Sequence, residues 1–383
     1  MEEILITGVG QIPAGEHWDS SLREMGAKAV RLALQNAGNP EPQALFVGNM
    51  LSMNISNQAH LATLIADRAD LVGIEAATVE AGGASGGAAI RQAVLAVKSG
   101  LVDCAIALGV EKFTDKAGGE LESALATNMD GDFEAMQGLT TTSQAAMLMQ
   151  RYLMQYKAER SAFAGFALNA HKNGAGNPNA MFQKAIKADT YLKAEMVSEP
   201  LNMFDIAPFV DGAAAVVLTR SSLYKGSAQP VKVSASALST DTLSLHDRVD
   251  VLEFRSVARC AQKAFDQAGL RPGQINLFEY DDQFGIFAAL ALEATGFCER
   301  GQAWKMALED EIGLGGRLPC ATFGGNKARG FAGGATGIYQ AVEAVLQLRG
   351  DAKANQVPGA THAMIQGIGG PGSTCVSHIL SKI

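Results

Sequence analysis

Val79-Glu80-Ala81-Gly82-Gly83-Ala84-Ser85-Gly86-Gly87 reads as the end of a strand turning into a helix, and its reading decides the fold. Gly86-Gly87-Ala88 opens a helical run, Ile90 to Val97, that Gly100 closes. A second stretch repeats the arrangement: Gly333-Gly334-Ala335 opens Ile338 to Val345, closed by Gly350. A further pair lies upstream. Asp19-Ser20-Ser21 precedes a helix whose apolar face uses Leu22, Met25, Ala29, Leu32 and Ala33; Gly38 and Pro40 end it, and the strand Ala44 to Val47 follows. Val257, Cys260, Ala261, Ala264 and Phe265 form a similar stripe, ended by Gly269 and Pro272 and followed by the strand Ile275 to Phe278. Amphipathic helices arise independently, but shared order and shared glycines favour two homologous halves. A helix opened by glycine after a strand presents free N–H groups and a positive dipole end, so Gly86 and Gly333 mark the places to seek chemistry.

Between the halves, Phe113 to Val197 is rich in Met, Gln, Asn and Ala and lacks strand alternation, which predicts an insertion of helices and loops. Ala213 to Thr219 (AAAVVLT) returns as a strand. The expected organisation is a first half over 1–112 and 198–225, an inserted loop domain over 113–197, and a second half over 226–383.

With 48% hydrophobic but only 6% aromatic residues and 42 glycines among 383, the interior must be filled by small aliphatic side chains, the habit of closely packed α/β proteins. A net charge of −8 and scattered basic residues argue against nucleic acid. Cys104, Cys260, Cys298, Cys320 and Cys375 have no paired spacing, which speaks against a disulfide framework or a zinc site and fits a reducing cytoplasm. The opening MEEILITGVGQIP has no signal-peptide pattern, and no charge-free apolar run reaches the roughly 18 residues of a membrane span. A cytoplasmic protein without membrane partners is expected.

Six segments, in order along nearly the whole chain, carry a resemblance to the thiolase superfamily. VEAGGASGGAAI (79–90) resembles its nucleophile turn, and HKNGAGNPNA (171–180) and SEPLNMFDIAPFVDGAAAVVL (198–218) resemble its loop region and the return to the core. FEYDDQF (278–284) with LEATGFCERG (292–301) is similar to the block containing HDCF and its sequel. GGNKARGFAGGATG (324–337) resembles GGxKAxGHPxGATG, and GIGGPGS (367–373) the C-terminal glycine loop. The likeness is strongest to the sterol-carrier-protein-X and archaeal acetoacetyl-CoA thiolase branch. It implies a thiolase fold, an α/β class with two duplicated βαβαβ halves in a five-layer αβαβα arrangement. It also implies a dimeric protein that takes a coenzyme A thioester as substrate or ligand and holds no covalent cofactor.

Position by position, the resemblance places the family's nucleophile at Gly83, the His and Cys of HDCF at Asp281 and Gln283, and the His of GHP at Phe331. The next Pro is Ala332, and the family's Asn ahead of the GG pair is Ala321. Loss of a nucleophile–base unit costs on the order of 10⁶ in rate, so Cys-dependent thiolase activity is expected to be absent. The backbone N–H groups of Gly83 and Gly370 remain as an oxyanion hole, although both glycines equally suit tight turns. Asp281 or Tyr280 is the candidate base: neighbouring Asp282 would raise a carboxyl pKa, and alternation lets only one of the two face the pocket. Asp282 itself reads as structural. His171 and Lys327, with Arg329, are candidates for the coenzyme A arm and phosphates, solvated surface positions being the plainer reading; Cys320 reads as a small buried residue.

Three functions follow from this pattern. One is non-covalent carbon–carbon bond chemistry, aldolase- or acyltransferase-like, beside a zinc-ribbon/OB-fold partner. Another is a non-catalytic subunit that pairs with an active thiolase paralogue, in place of a homodimer. A scaffold without ligand would require Phe331 and its neighbours to fill the cavity.

Overall fold

The computed structural model describes residues 2–226 and 228–383. The first half runs β1 (Ile4–Gln11), α1 (Leu22–Asn36), β2 (Ala44–Gly48), α2 (Ser52–Ile55), α3 (Leu61–Arg68), β3 (Glu75–Val79), α4 (Ser85–Ser99) and β4 (Cys104–Glu111). The chain then leaves the sheet for α5 (Gly119–Ala126), α6 (Thr141–Tyr156), α7 (Ala164–Gly174), α8 (Ala188–Leu192) and a ribbon of β5 (Met196–Ser198) and β6 (Leu201–Asn202). It rejoins as β7 (Gly212–Arg220). The second half is β8 (Val231–Thr240), α9 (Arg255–Ala268), β9 (Leu277–Glu279), α10 (Gly285–Thr295), α11 (Ala303–Leu308), α12 (Thr336–Arg349), β10 (His362–Gly369) and β11 (Thr374–Lys382). The excursion thus extends from Glu111 to Gly212, and its ribbon crosses the expected boundary at 197.

The strand order is β3-β2-β4-β7-β1-β8-β11-β10-β9. Outward from the junction of β1 and β8, the two halves mirror each other: β1-β7-β4-β2 against β8-β11-β10-β9, with the same succession of antiparallel, antiparallel and parallel pairs. The outermost place, held by β3 in the first half, is taken in the second by Cys320, which bridges Phe278 in parallel. The duplication is therefore carried in topology as well as sequence. The junction itself is thin, with Leu5 opposite Lys232 and Ile6 opposite Val231.

Local chemistry explains the elements. Ser21 and Glu24 form a reciprocal cap on α1, whose buried face includes Leu22, Met25, Ala29 and Ala33. Gly269 ends α9 at φ +66, the left-handed conformation that glycine adopts without a Cβ clash. α1 and α3 cover one face of the first half, α9 and α10 one face of the second, and α4 and α12 pack on strands of both halves as the middle layer.

The middle layer corrects the expected pairing of the two helix starts. α4 begins at Ser85 and α12 at Thr336, each two residues after the second glycine of an Ala-Gly-Gly turn. The first of those glycines is left-handed in both copies, Gly82 at φ +58 and Gly333 at φ +46. AGGASG (81–86) therefore matches AGGATG (332–337), and Gly86 corresponds to Gly337. The turn conformation sets the register, whereas the apolar run behind it is periodic and fits more than one offset. Where the helices cross, a Cβ on Gly86 would lie 2.6 Å from the Gly334 carbonyl, and one on Gly337 2.5 Å from the Gly87 nitrogen.

Both obstacles are backbone atoms and cannot rotate away. Gly337→Ala is expected to lose about 3 kcal/mol of stability in urea unfolding, while Gly273→Ala, with nothing within 4 Å, stays within about 0.5 kcal/mol of wild type.

Candidate active site

Four turns converge where α4 and α12 begin: the Ala-Gly-Gly turn before α4, residues 280–284 after β9, residues 324–335 before α12, and the glycine loop after β10. They bring Gly83, Gln283, Phe331 and Gly370 around one cavity, which is also lined by Leu125, Gln144 and Phe284. The free volume is about 20 Å³, room for about one water before any side chain moves.

Phe331 is the reason. Its ring is fully buried, stacked 6.1 Å from Phe113 and edge-on 5.9 Å from Phe209. A Cβ on Gly83 would sit 3.4 Å from the Phe331 Cζ and only 2.7 Å from the Ile368 carbonyl. The neighbours lie so close to residue 83 that even the first atom of a side chain does not fit without a shift of the Ile368 carbonyl. The N–H groups of Gly83 and Gly370 donate to no protein acceptor among the described residues. Ala321, at the family's Asn position, keeps φ +48, a conformation that Asn adopts more readily than Ala.

Asp281 lies one layer behind the cavity wall. Its Oδ1 accepts from Asn326 Nδ2 at 2.8 Å and from the Gln283 N–H at 3.2 Å, and Oδ2 accepts from the Ile368 N–H at 3.1 Å. Burial pushes its carboxyl up to about 7. The expected facing of the pocket is thus corrected: the residue of this turn that reaches the cavity is Gln283. Tyr280 points into the second-half core against Phe278, with burial raising its hydroxyl well above the ordinary range, so it is no proton acceptor. Asp282 accepts from the Asn326 N–H at 2.6 Å through Oδ1, and its Oδ2 has no partner.

The candidate contacts to coenzyme A are corrected as well. Lys327 is buried and donates to the carbonyls of Asp205 at 2.7 Å and Phe204 at 3.3 Å. Arg329 is buried against Glu343 at 2.6 Å. His171 sits inside α7, stacked on Phe182, and burial holds its pKa below the ordinary value. None of the three faces solvent. The segment around His171 serves the interior instead. Asn169 and Asn173 donate to the Cys320 and Ala321 carbonyls, and Asn177 to that of Phe323. Cys320 is fully buried, as expected of a small core residue.

Two buried carboxyls had no sequence signal beyond lying in strand-like runs. Glu111 accepts from the N–H groups of Met50, Leu51 and Gly334 and from Asn49 Nδ2, and burial pushes it up to about 7. Glu279 accepts from the Thr322 N–H at 3.0 Å, and burial together with Glu343 pushes it up to about 8.

The chain as a whole has relatives among known proteins. Residues 4–222 match the thiolase N-terminal domain and residues 237–382 the thiolase C-terminal domain-like family. An acetyl-CoA acetyltransferase of Methanothermobacter thermautotrophicus is 40% identical over 385 residues, covering 100% of both chains. The chain belongs to the thiolase family. The benzoylsuccinyl-CoA thiolase subunit BbsB of Thauera aromatica is 28% identical, covering 93% of this chain and 90% of that one. A solved structure, the Ltp2-ChsH2(DUF35) aldolase, superposes with a TM-score of 0.84 at 23% identity, covering 99% of this chain and 98% of that one, and so shares the fold.

Two outcomes are expected. Gly83→Cys leaves acetoacetyl-CoA thiolysis undetectable and lowers stability by about 1–3 kcal/mol, because the Ile368 carbonyl must move. Glu279, Asp281 and Glu111 bind their protons more tightly folded than unfolded. Their stabilisation is full below about pH 4 and is lost as pH rises through 7 to 8, at up to about 1.4 kcal/mol per pH unit for each group. The melting temperature should fall from about pH 5 to about pH 8 and level off above, and Glu279→Gln should flatten that fall.

Proposed function

We propose that this thiolase-family chain binds an acyl-CoA thioester and serves non-covalent carbon–carbon bond chemistry, aldolase- or acyltransferase-like, as one component of a complex. The observation that carries this reading is the pair of unengaged N–H groups, Gly83 and Gly370, on a cavity where residue 83 offers no side chain. Such donors stabilise a thioester oxyanion or enolate whether or not an acyl-enzyme forms. In a retro-aldol step a base takes the β-hydroxyl proton, the Cα–Cβ bond breaks, and its electron pair becomes the enolate held by those N–H groups. The enolate then takes a proton at Cα and leaves as the shorter thioester. Asp281, which titrates near neutrality directly behind the wall, is the proton reservoir nearest the cavity. A zinc-ribbon/OB-fold protein is the partner in this reading, supported by the aldolase named Ltp2-ChsH2(DUF35) and by a relative named as a subunit.

A second reading, a non-catalytic subunit paired with an active thiolase paralogue, is favoured by the Phe331 ring that leaves only about 20 Å³.

Calorimetric titration of the purified chain with acetyl-CoA tests the shared premise: binding without a mass increase of the protein is expected. Absence of binding, or a covalent acyl adduct, overturns it. Lyase turnover that appears on adding a zinc-ribbon partner and falls at least about tenfold in Asp281→Asn supports the first reading. Turnover that never appears leaves the subunit reading standing.

A further inference from the structure

Gln144 lies in the first turn of α6 and is 1% exposed, yet neither its amide nitrogen nor its amide oxygen has a hydrogen-bond partner among the described residues. An unsatisfied buried amide is costly enough that native proteins rarely keep one without use. This one belongs to two spaces at once. It lines the small cavity at Gly83, and it lines an apolar pocket of about 520 Å³ walled by Leu139, Met147, Leu148, Leu245 and Val251. The other buried polar group of that pocket is engaged: the Glu134 carboxylate accepts from the N–H groups of Asp130 and Leu245. At the mouth, Phe133 and Met147 are 66% and 47% exposed. The pocket lies within the range of about 300–1,000 Å³ that holds small ligands, and an apolar wall with one convergent polar group is their usual design.

We infer that this pocket holds the apolar remainder of the acyl group, and that the Gln144 amide recognises a hydroxyl on its β-carbon. The inference rests on the thioester reading of Gly83 and Gly370. With the carbonyl at those N–H groups, the β-carbon lies two bonds away in the same small cavity, where the amide offers both a donor and an acceptor. The chain beyond it then enters the larger pocket. A hydroxyl, which gives and takes a hydrogen bond, satisfies both orphaned atoms; a plain alkyl chain satisfies neither. The substrate class is a medium-chain or bulkier β-hydroxyacyl thioester rather than an acetyl or acetoacetyl one.

Titrations of the full chain with acetyl-CoA, octanoyl-CoA and 3-hydroxyoctanoyl-CoA test this. Wild type should bind the hydroxyoctanoyl thioester roughly fivefold to tenfold more tightly than octanoyl-CoA, the measure of a satisfied buried amide. In Gln144→Leu that preference should vanish while the melting temperature holds or rises; Gln144→Met is the second variant should the first not fold. Leu148→Trp should weaken both eight-carbon ligands at least about tenfold and leave acetyl-CoA unchanged. Equal binding of the two eight-carbon ligands by wild type, or a preference that survives both Gln144 variants, overturns the inference while acetyl-CoA binding upholds the thioester site. Failure of all three ligands overturns both. Self-association that Leu148→Trp abolishes, without any effect on ligands, assigns the pocket to a second copy and also overturns the inference.

Discussion

The crossing of α4 and α12 at Gly86 and Gly337 is the contact on which the architecture depends. A Cβ on either residue would fall within 2.6 Å of backbone in the partner helix or the turn that opens it, so the middle layer can be this thin only with glycine at both positions. Because the helices touch near their N-termini, the two Ala-Gly-Gly turns, the end of β9 and the loop after β10 meet in one small volume. The site is a by-product of that closeness, since any group placed on these turns lies within reach of the others. The same closeness makes the site unforgiving. The Ile368 carbonyl lies close enough to Gly83 to exclude a side chain.

Below the cavity lies a cluster of buried titratable groups. Asp281, Asp282, Glu279, Glu343 and Asp205 face Lys327 and Arg329 within the protein. Asn326 joins this cluster to the turn after β9 by two hydrogen bonds, and Arg329 binds both Asn326 and Glu343. Removing either Arg329 or Glu343 strands the other as an unpaired buried group, typically at several kcal/mol, whereas Phe331 belongs to an apolar cluster with Phe113, Leu125 and Ala207.

Much of this was legible in the residues. Glycine positions and apolar stripes are local signals, and they located α1, α4, α9 and α12 and the duplication behind them. The offset between Gly86 and Gly337 was not legible from the helix pattern, because a helical period of about 3.6 residues tolerates several registers until a left-handed turn selects one. The convergence of Gly83, Gln283, Phe331 and Gly370 came from family-like positions, and the structure brings them together. Which way Asp281 and Tyr280 face depends on a turn after a three-residue strand, where alternation has already lapsed. Gln144 had no signal at all. An orphaned amide is defined by what fails to surround it, and spacing along the chain carries no record of that.

The asparagines of α7 and its following loop have one further consequence. Asn169, Asn173 and Asn177 bind carbonyls between Cys320 and Phe323, and the N–H groups of Met181 and Phe182 bind the carbonyls of Arg329 and Ala328. A segment that departs from the first half is thereby sewn to the second. It is not free to swing as a lid, and it has no fold of its own to keep once the second half melts. These bonds join residues about 150 positions apart, so they form only after a long loop has closed.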